Sequence, residues 1–124
     1  MECVKIVKNI RLRIIIQMTR YITDTQDYEN VFNNQPDNKL LVVCYTASWC
    51  GPCKTIMSPL CEKVAGSTPN ITIVKVDVDE CEELASINEI SCMPTLHFIK
   101  NKQILYKLEG ADTQTFLRLI GDFA

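Results

Sequence analysis

One short segment constrains the fold of this chain more than any other. Residues 40–45 (LLVVCY) form an uninterrupted apolar run, which is typical of a strand buried on both faces of a sheet. Shortly after it, Cys50 and Cys53 stand two residues apart behind Trp49 and begin a helical pattern that extends to residue 65. Because a strand of this kind must be covered on both sides, the segment predicts an α/β fold.

Strand and helix patterns alternate along the rest of the chain. The predicted strands are residues 20–22, 40–45, 71–78, 95–99 and 104–108, and the predicted helices are residues 24–33, 50–65, 79–88 and 112–123. The order is β-α-β-α-β-α-β-β-α with a hairpin near its end. This order predicts a central mixed β-sheet flanked by helices on both faces.

Three local features carry further expectations. Pro59 lies inside the second predicted helix and predicts a kink there. In the last helix, Phe116, Leu117 and Ile120 are expected to face the core. His97 alternates with apolar neighbours, so it is expected to be a sheet residue with a local hydrogen bond rather than a general base.

The charge distribution separates the first 20 residues from the rest. Residues 1–20 carry five basic and one acidic side chain, whereas residues 21–124 carry eight basic and fourteen acidic ones. The acidic main part argues against nucleic acid as a partner. The leader cannot cross a membrane because Lys and Arg interrupt its apolar residues, and it makes a poor secretory signal. We therefore expect a basic N-terminal extension, residues 1–20, before one domain, residues 21–124; an organellar presequence is the alternative.

The cysteine content points to a reducing compartment. Seven cysteines are an odd number, and their spacing does not suggest the disulfide framework of a secreted protein. Most are therefore expected to be free thiols, and the chain to be cytoplasmic. A monomer is expected, with dimerisation through a surface cysteine as the alternative.

The paired cysteines suit thiol–disulfide exchange. Free N–H groups and the helix dipole at a helix start favour negative charge, so Cys50 should ionise more readily than an ordinary cysteine and act as the nucleophile. Cys53, one turn later, is the expected resolving thiol that releases the reduced product. Gly51 permits close approach, and Pro52 stiffens the first turn.

Two other interpretations of the pair are weaker. A zinc site needs about four ligands, usually from two such pairs, and the chain has a single Cys-x-x-Cys and one histidine. No metal or cofactor is therefore expected in this chain. A purely structural disulfide would constrain the unfolded chain very little, because the loop that it closes is so short.

The motif WCGPCK, residues 49–54, after a buried strand and before a helix, resembles the active-site signature of the thioredoxin family. Three further matches are MPT at residues 93–95, VKVDVD at residues 74–79 and EGA at residues 109–111. The resemblance extends from about residue 20 to residue 124 and is greatest to animal-type cytosolic members.

The resemblance implies the thioredoxin fold and a protein-disulfide reductase that carries electrons and maintains cell redox homeostasis. A separate NADPH-dependent thioredoxin reductase would recharge it, and disulfide-containing proteins would be its substrates. It further implies a redox-active disulfide between Cys50 and Cys53, and a cis peptide bond before Pro94. The surface that receives the substrate would consist of Trp49, Gly51, Pro52, Met93, Pro94, Gly110 and Ala111.

The chain departs from the family pattern at Cys44. That position usually holds a buried aspartate that exchanges protons with the resolving cysteine, a role that suits a carboxylate of raised pKa. With cysteine there, Lys75 loses its expected partner and must reach solvent or another acid. Deprotonation of Cys53 is also expected to be slower.

Further expectations concern the remaining cysteines and the alternative functions of the chain. Cys81 and Cys92 are candidates for regulatory oxidation or intermolecular pairing, whereas Cys61 is expected to be incidental. A thioredoxin-like binding module with weak redox activity is the alternative function, because the acid is missing. A secretory oxidase or isomerase is disfavoured by Pro52, which supplies no imidazole to destabilise the disulfide.

Overall fold

The computed structural model describes residues 19–124, which contain five strands and four α-helices. The strands are β1 (Thr19–Tyr21), β2 (Leu40–Thr46), β3 (Ile71–Asp77), β4 (Thr95–Lys100) and β5 (Gln103–Glu109). The helices are α1 (Thr25–Asn34), α2 (Ser58–Ser67), α3 (Glu82–Ile87) and α4 (Thr113–Phe123), and a π-helical turn (Cys53–Met57) precedes α2. The order of elements is as predicted, and the α/β fold is confirmed.

The five strands form one mixed sheet in the order β1-β3-β2-β4-β5. β3 pairs in parallel with both β1 and β2, whereas β4 is antiparallel to β2 and β5. β2 therefore lies at the centre, and every one of its residues is buried. This burial is the reason that its sequence is continuously apolar rather than alternating.

Alternate residues of β2 face two separate core layers. One layer contains residues of α2 and α4, and the other contains residues of α1 and α3. The β2 side chains in the first layer are Leu40, Val42 and Cys44, and those in the second are Leu41, Val43 and Tyr45. Since full burial of a Val or Leu side chain contributes about 1.5–3 kcal/mol, β2 stabilises both layers. The expected helices on both faces of the sheet are confirmed.

The inward face of α4 differs from the predicted one by a single residue. Phe116 and Ile120 are buried as expected, but Leu117 is 49% exposed, and Leu119 takes the place in the core. Positions three and four residues beyond Phe116 lie on its face of the helix, whereas the next position is rotated away. Asp112 caps the helix by accepting the Thr115 N–H.

One helix boundary and the position of one helix irregularity also differ from the prediction. α3 begins at Glu82 rather than at residue 79, because Asp77 Oδ1 accepts the backbone N–H groups of Asp79 and Glu80 and holds these residues in a turn. The irregularity attributed to Pro59 lies before it, in the π-helical turn, where the Ser58 N–H donates to the carbonyl five residues back. Pro59 itself occupies the first turn of α2, where its missing N–H is tolerated.

His97 lies on β4 and is 1% exposed. Its Nδ1 has no hydrogen-bond partner in residues 19–124, so the expected local hydrogen bond is absent at that atom. Burial, and then the charge of Lys107, lower the pKa of His97 to about 4, which keeps the ring neutral at physiological pH.

Most of the predicted extension, residues 1–18, lies outside the described residues, so the boundary at residue 20 stays a prediction. Within residues 19–124, none of the helices has both the length and the apolar character that crossing a bilayer requires.

Candidate active site

The two cysteines of the pair form a disulfide directly after the central strand. Cys50 and Cys53 are bonded through their sulfurs, and their Cα atoms are 5.4 Å apart. Cys50 is 6% exposed and Cys53 is 1% exposed. Both pack with Ala47 and against the partly buried Met93. Cys50 is thus at the edge of a small apolar cluster, and Cys53 lies within it.

Backbone groups at the start of the helix approach the first sulfur. The Cys53 N–H donates to Cys50 Sγ over 3.2 Å, and the Lys54 N–H donates to the Cys50 carbonyl over 3.3 Å. Pro52 has φ −59°, which suits the first turn of a helix. An N–H aimed at the sulfur stabilises a thiolate once the disulfide is reduced.

Trp49 directly precedes Cys50 and is 68% exposed. Its Nε1–H donates to Asp79 Oδ2 over 2.9 Å, which orients the ring. Sequence reasoning did not assign a role to Asp79. Its place within VKVDVD was visible, but the contact spans 30 residues and arises only when β2 and β3 lie side by side.

The MPT motif, residues 93–95, lies beside the same disulfide through Met93. The peptide bond between Met93 and Pro94 is cis, as the resemblance implied. The Gly110 N–H donates to the Pro94 carbonyl over 2.8 Å. Gly110 has φ +93°, a conformation that residues with a Cβ rarely adopt, so glycine is required at this turn.

The predicted substrate surface is thus partly assembled around the disulfide. Met93 contacts the cysteine cluster, and Gly110 is tied to Pro94. Ala111 is partly buried and packs against the α2 and α4 layer. The role of these residues in binding stays a prediction.

The position of the missing carboxylate is occupied by a buried thiol with a buried lysine beside it. Cys44 is 2% exposed and is in register with Lys75 on the neighbouring β3. Lys75 Nζ donates to Ser58 Oγ over 2.6 Å and to Glu62 Oε1 over 3.0 Å. Lys75 was expected to reach solvent or another acid, and the structure shows the second outcome, with Glu62 as the acid. Glu62 had no signal in the sequence, because its partner lies on a distant strand.

Glu62 is held ionised by this arrangement. Burial by itself would raise its pKa, but hydrogen bonds from Thr19 and Lys75, together with the charge of Lys75, lower the pKa below its ordinary value. The ammonium and the carboxylate therefore form an ion pair at neutral pH, with Ser58 as the third member.

The remaining thiols of the described region differ in exposure. Cys44, Cys61 and Cys81 are buried, whereas Cys92 is partly exposed. Interaction with the Cys44 side chain, and then burial, raise the pKa of Cys61. Cys81 is 6% exposed, and its regulatory oxidation stays a prediction.

Cys92 precedes the cis peptide and donates its S–H to Glu109 Oε2 over 2.9 Å. This hydrogen bond, followed by desolvation, raises the pKa of Cys92. Glu109 therefore lowers the thiolate fraction of Cys92. Its regulatory role stays a prediction.

A family model described as thioredoxin matches residues 19–121. The chain is 39% identical over 107 residues to a thioredoxin from Ictalurus punctatus, which covers 85% of this chain and 98% of the relative. It is also 34% identical over 106 residues to a thioredoxin from Callithrix jacchus, covering 86% of this chain and 99% of the relative.

Two solved structures are similar over the same region. A thioredoxin from Fasciola hepatica superposes with a TM-score of 0.79 at 32% identity, covering 85% of this chain and 99% of its own. The reduced thioredoxin pre-protein from Schistosoma mansoni superposes with a TM-score of 0.78 at 36% identity, covering 86% of this chain and 98% of its own.

Proposed function

Because this chain belongs to the thioredoxin family and is therefore a thiol–disulfide reductase, we propose that it reduces disulfides in other proteins and is recharged by an NADPH-dependent flavoprotein reductase. One observation carries the proposal: the Cys50–Cys53 disulfide lies at a helix start beside the exposed Trp49. The apolar, exposed ring next to the disulfide suits a macromolecular substrate.

The reaction proceeds through a mixed disulfide. In the reduced protein, the Cys50 thiolate attacks one sulfur of a substrate disulfide, and the other substrate sulfur leaves as a thiolate that takes up a proton. Cys53 then loses its proton and attacks Cys50 Sγ, which breaks the bond to the substrate. Two thiols of this chain become one disulfide while one substrate disulfide becomes two thiols. The partner reductase restores the dithiol with electrons from NADPH.

We expect the substrate to bind as an extended segment across the surface beside the disulfide. Met93 lies next to the cysteine cluster and precedes the cis peptide bond, so its backbone groups are available for strand-like pairing. The exposed face of Trp49 supplies apolar contact for the substrate side chains.

A reducing location fits the thiol content. The described region holds four free cysteines, one of them partly exposed, and such thiols persist where glutathione or thioredoxin systems keep them reduced. We propose a cytoplasmic monomer that acts as an electron carrier in redox homeostasis. Organelle import through residues 1–20 is the alternative, and mass spectrometry of the native N-terminus together with cell fractionation decides between them.

The experiment that tests the proposal is coupled reduction of insulin disulfides with NADPH and a thioredoxin reductase. The wild-type protein is expected to consume NADPH in step with insulin reduction. Cys53→Ser should stop turnover and accumulate a covalent complex with the substrate, which non-reducing electrophoresis detects. Absence of both turnover and trapped complex would contradict the proposal.

A second candidate function is supported by Cys44, which supplies no carboxylate to the resolving step. In that case the chain is a thioredoxin-like binding module with weak redox activity. Tight partner binding that survives Cys50→Ser combined with Cys53→Ser, alongside negligible NADPH consumption by the wild type, would favour the module.

A further inference from the structure

A cavity of about 180 Å³ lies beside the resolving cysteine. Cys53, Ser58 and Asp77 are among the residues that line it. We propose that Asp77 accepts, through water in this cavity and with the Ser58 hydroxyl as a relay, the proton that Cys53 must lose to resolve the mixed disulfide. The proposal rests on the thiol–disulfide exchange described above and assigns the proton acceptor for its second step.

Cys53 needs such an acceptor because of where it lies. It is 1% exposed and packs with apolar residues, including Ala47 and Met93. Burial of this kind disfavours the thiolate. The cavity provides a route by which water can reach the thiol. Its volume is several times the roughly 30 Å³ that one water takes up in the liquid.

Asp77 is held so that one carboxylate oxygen remains free. Its Oδ1 accepts the backbone N–H groups of Asp79 over 2.9 Å and Glu80 over 3.2 Å. Within residues 19–124 its Oδ2 makes no hydrogen bond or ion pair. The carboxylate is thus fixed in orientation by the turn and retains an oxygen that can accept a proton from water.

The Ser58 hydroxyl is oriented by Lys75. Lys75 Nζ donates to Ser58 Oγ over 2.6 Å, so the Ser58 O–H is directed away from the ammonium and is available to the cavity that Ser58 lines. The other titratable groups at the cavity are Lys54 and Tyr21, and Lys75 acts on it through Ser58. Asp77 is the carboxylate among the residues that line the cavity.

The alternative acid, Glu62, is less suited to the role. It does not line the cavity, and it is engaged by Lys75 and Thr19. After burial, which opposes the effect, these hydrogen bonds lower its pKa and make it a weaker base. Cys44 cannot substitute either, because it is a buried thiol.

The second exchange step conserves the proton and the electrons. The Cys53 S–H bond breaks, and its proton passes through water to the Asp77 carboxylate. The sulfur electron pair forms the bond to Cys50 Sγ, and the bond between Cys50 Sγ and the substrate sulfur breaks. The leaving thiolate takes up a proton from solvent, and Asp77 returns its proton to water.

The test separates the two exchange steps in the full-length, reduced protein. One equivalent of an aromatic disulfide releases a first coloured thiolate when Cys50 attacks and a second when Cys53 resolves the intermediate. All variants carry Cys3→Ser and Cys92→Ser so that these thiols do not consume reagent. Stopped-flow absorbance then gives both rates as a function of pH.

Asp77→Asn is the decisive variant because its side-chain oxygen can still accept the two N–H groups of the turn. The second release is expected to slow about ten- to a hundredfold, near the lower range for general acid–base catalysis, and to lose its dependence on pH at the acid limb. The first release should be unchanged. Glu80→Gln removes a negative charge from the same turn and should leave both rates near wild type.

A further variant tests the role independently of the turn. Restoring a buried carboxylate with Cys44→Asp in the Asp77→Asn background should recover the second release. If Asp77→Asn does not fold by circular dichroism, Ser58→Ala is used instead and should slow the second release severalfold. The proposal is overturned if the second release keeps its wild-type rate in folded Asp77→Asn. If Ser58→Ala is used instead, a wild-type rate of the second release in that variant overturns the proposal. Loss of the first release in wild type would instead contradict the exchange function.

Discussion

Two pairs of cysteines lie near the central strand β2, yet only one is arranged for chemistry. Cys50 and Cys53 are at the helix start beside an exposed tryptophan, and a backbone N–H is directed at the first sulfur. Cys44 and Cys61 lie in the core between β2 and α2. Interaction with the neighbouring Cys44 thiol, and then burial, raise the pKa of Cys61. Position relative to solvent and to helix N–H groups, rather than the presence of two thiols, makes a pair reactive.

The largest effect is expected from a substitution that removes one cysteine of the reactive pair. Cys50→Ser should reduce insulin-disulfide reduction by about a thousandfold or more, because the nucleophile is lost and the remaining cysteine is buried. Cys61→Ala is the matched control, since it removes a thiol from the buried pair. Its activity per folded molecule should stay near wild type, and an equal loss there would contradict the distinction between the pairs.

The second prediction compares the thiols directly. In the reduced native protein, Cys50 should react with iodoacetamide about a hundredfold or more faster than Cys44 or Cys61, since the thiolate and not the thiol is the nucleophile. Peptide mapping after timed quenching measures each rate. In guanidinium chloride the rates should converge. Equal rates in the native state would show that the core does not protect the buried pair.

A third thiol sharpens the comparison, because its reactivity is set by one carboxylate. Glu109 raises the pKa of Cys92 through the hydrogen bond that it accepts. Glu109→Gln should therefore lower that pKa and increase the thiolate fraction at pH 7. Alkylation of Cys92 is expected to become a few times faster. Glu83→Gln, at an exposed position of α3, is the control. An unchanged rate in Glu109→Gln would contradict the role of Glu109.

The fourth prediction concerns a substitution in the buried pair that restores the family pattern at position 44. Cys44→Asp places a carboxylate beside Lys75 and should raise turnover in insulin reduction by about twofold, since general acid–base help is partly supplied already by the surroundings of Cys53. The gain should appear in kcat rather than in KM. No gain would mean that the acid missing from this position does not limit the reaction.

The smallest effect concerns the ion pair beside the buried thiols. Because the folded pKa of Glu62 is lowered, its stabilisation is present above its unfolded value of about 4.5 and is lost as pH falls through the folded value. Glu62→Gln should reduce the free energy of unfolding at pH 7 by less than about 1 kcal/mol, because the carboxylate is partly exposed. Urea titrations at pH 7 and pH 3 should show the difference disappear at the lower pH; a constant difference would contradict the ion pair.

Local sequence patterns were sufficient to predict the strands, the helices and the cysteine pair. The apolar run in β2, the turn between β4 and β5 and the Cys-x-x-Cys motif are all short-range signals, and each is found where it was predicted. The errors lie at positions where local signals compete. Leu117 and Leu119 are both apolar and differ only in helical phase, and the start of α3 depends on the side chain of Asp77.

The sequence alone determined the order of strands and helices, the mixed sheet and the two reactive cysteines, because periodicity and spacing act over a few residues and need no distant partner. Only the tertiary structure decided that Glu62 and Ser58 partner Lys75, that Asp79 orients Trp49, and that Asp77 lines a cavity with Cys53. These contacts join residues 13–30 positions apart, or share a cavity formed by several elements. They depend on how parallel strands and a widened helical turn are brought together, and no single stretch of sequence encodes that placement.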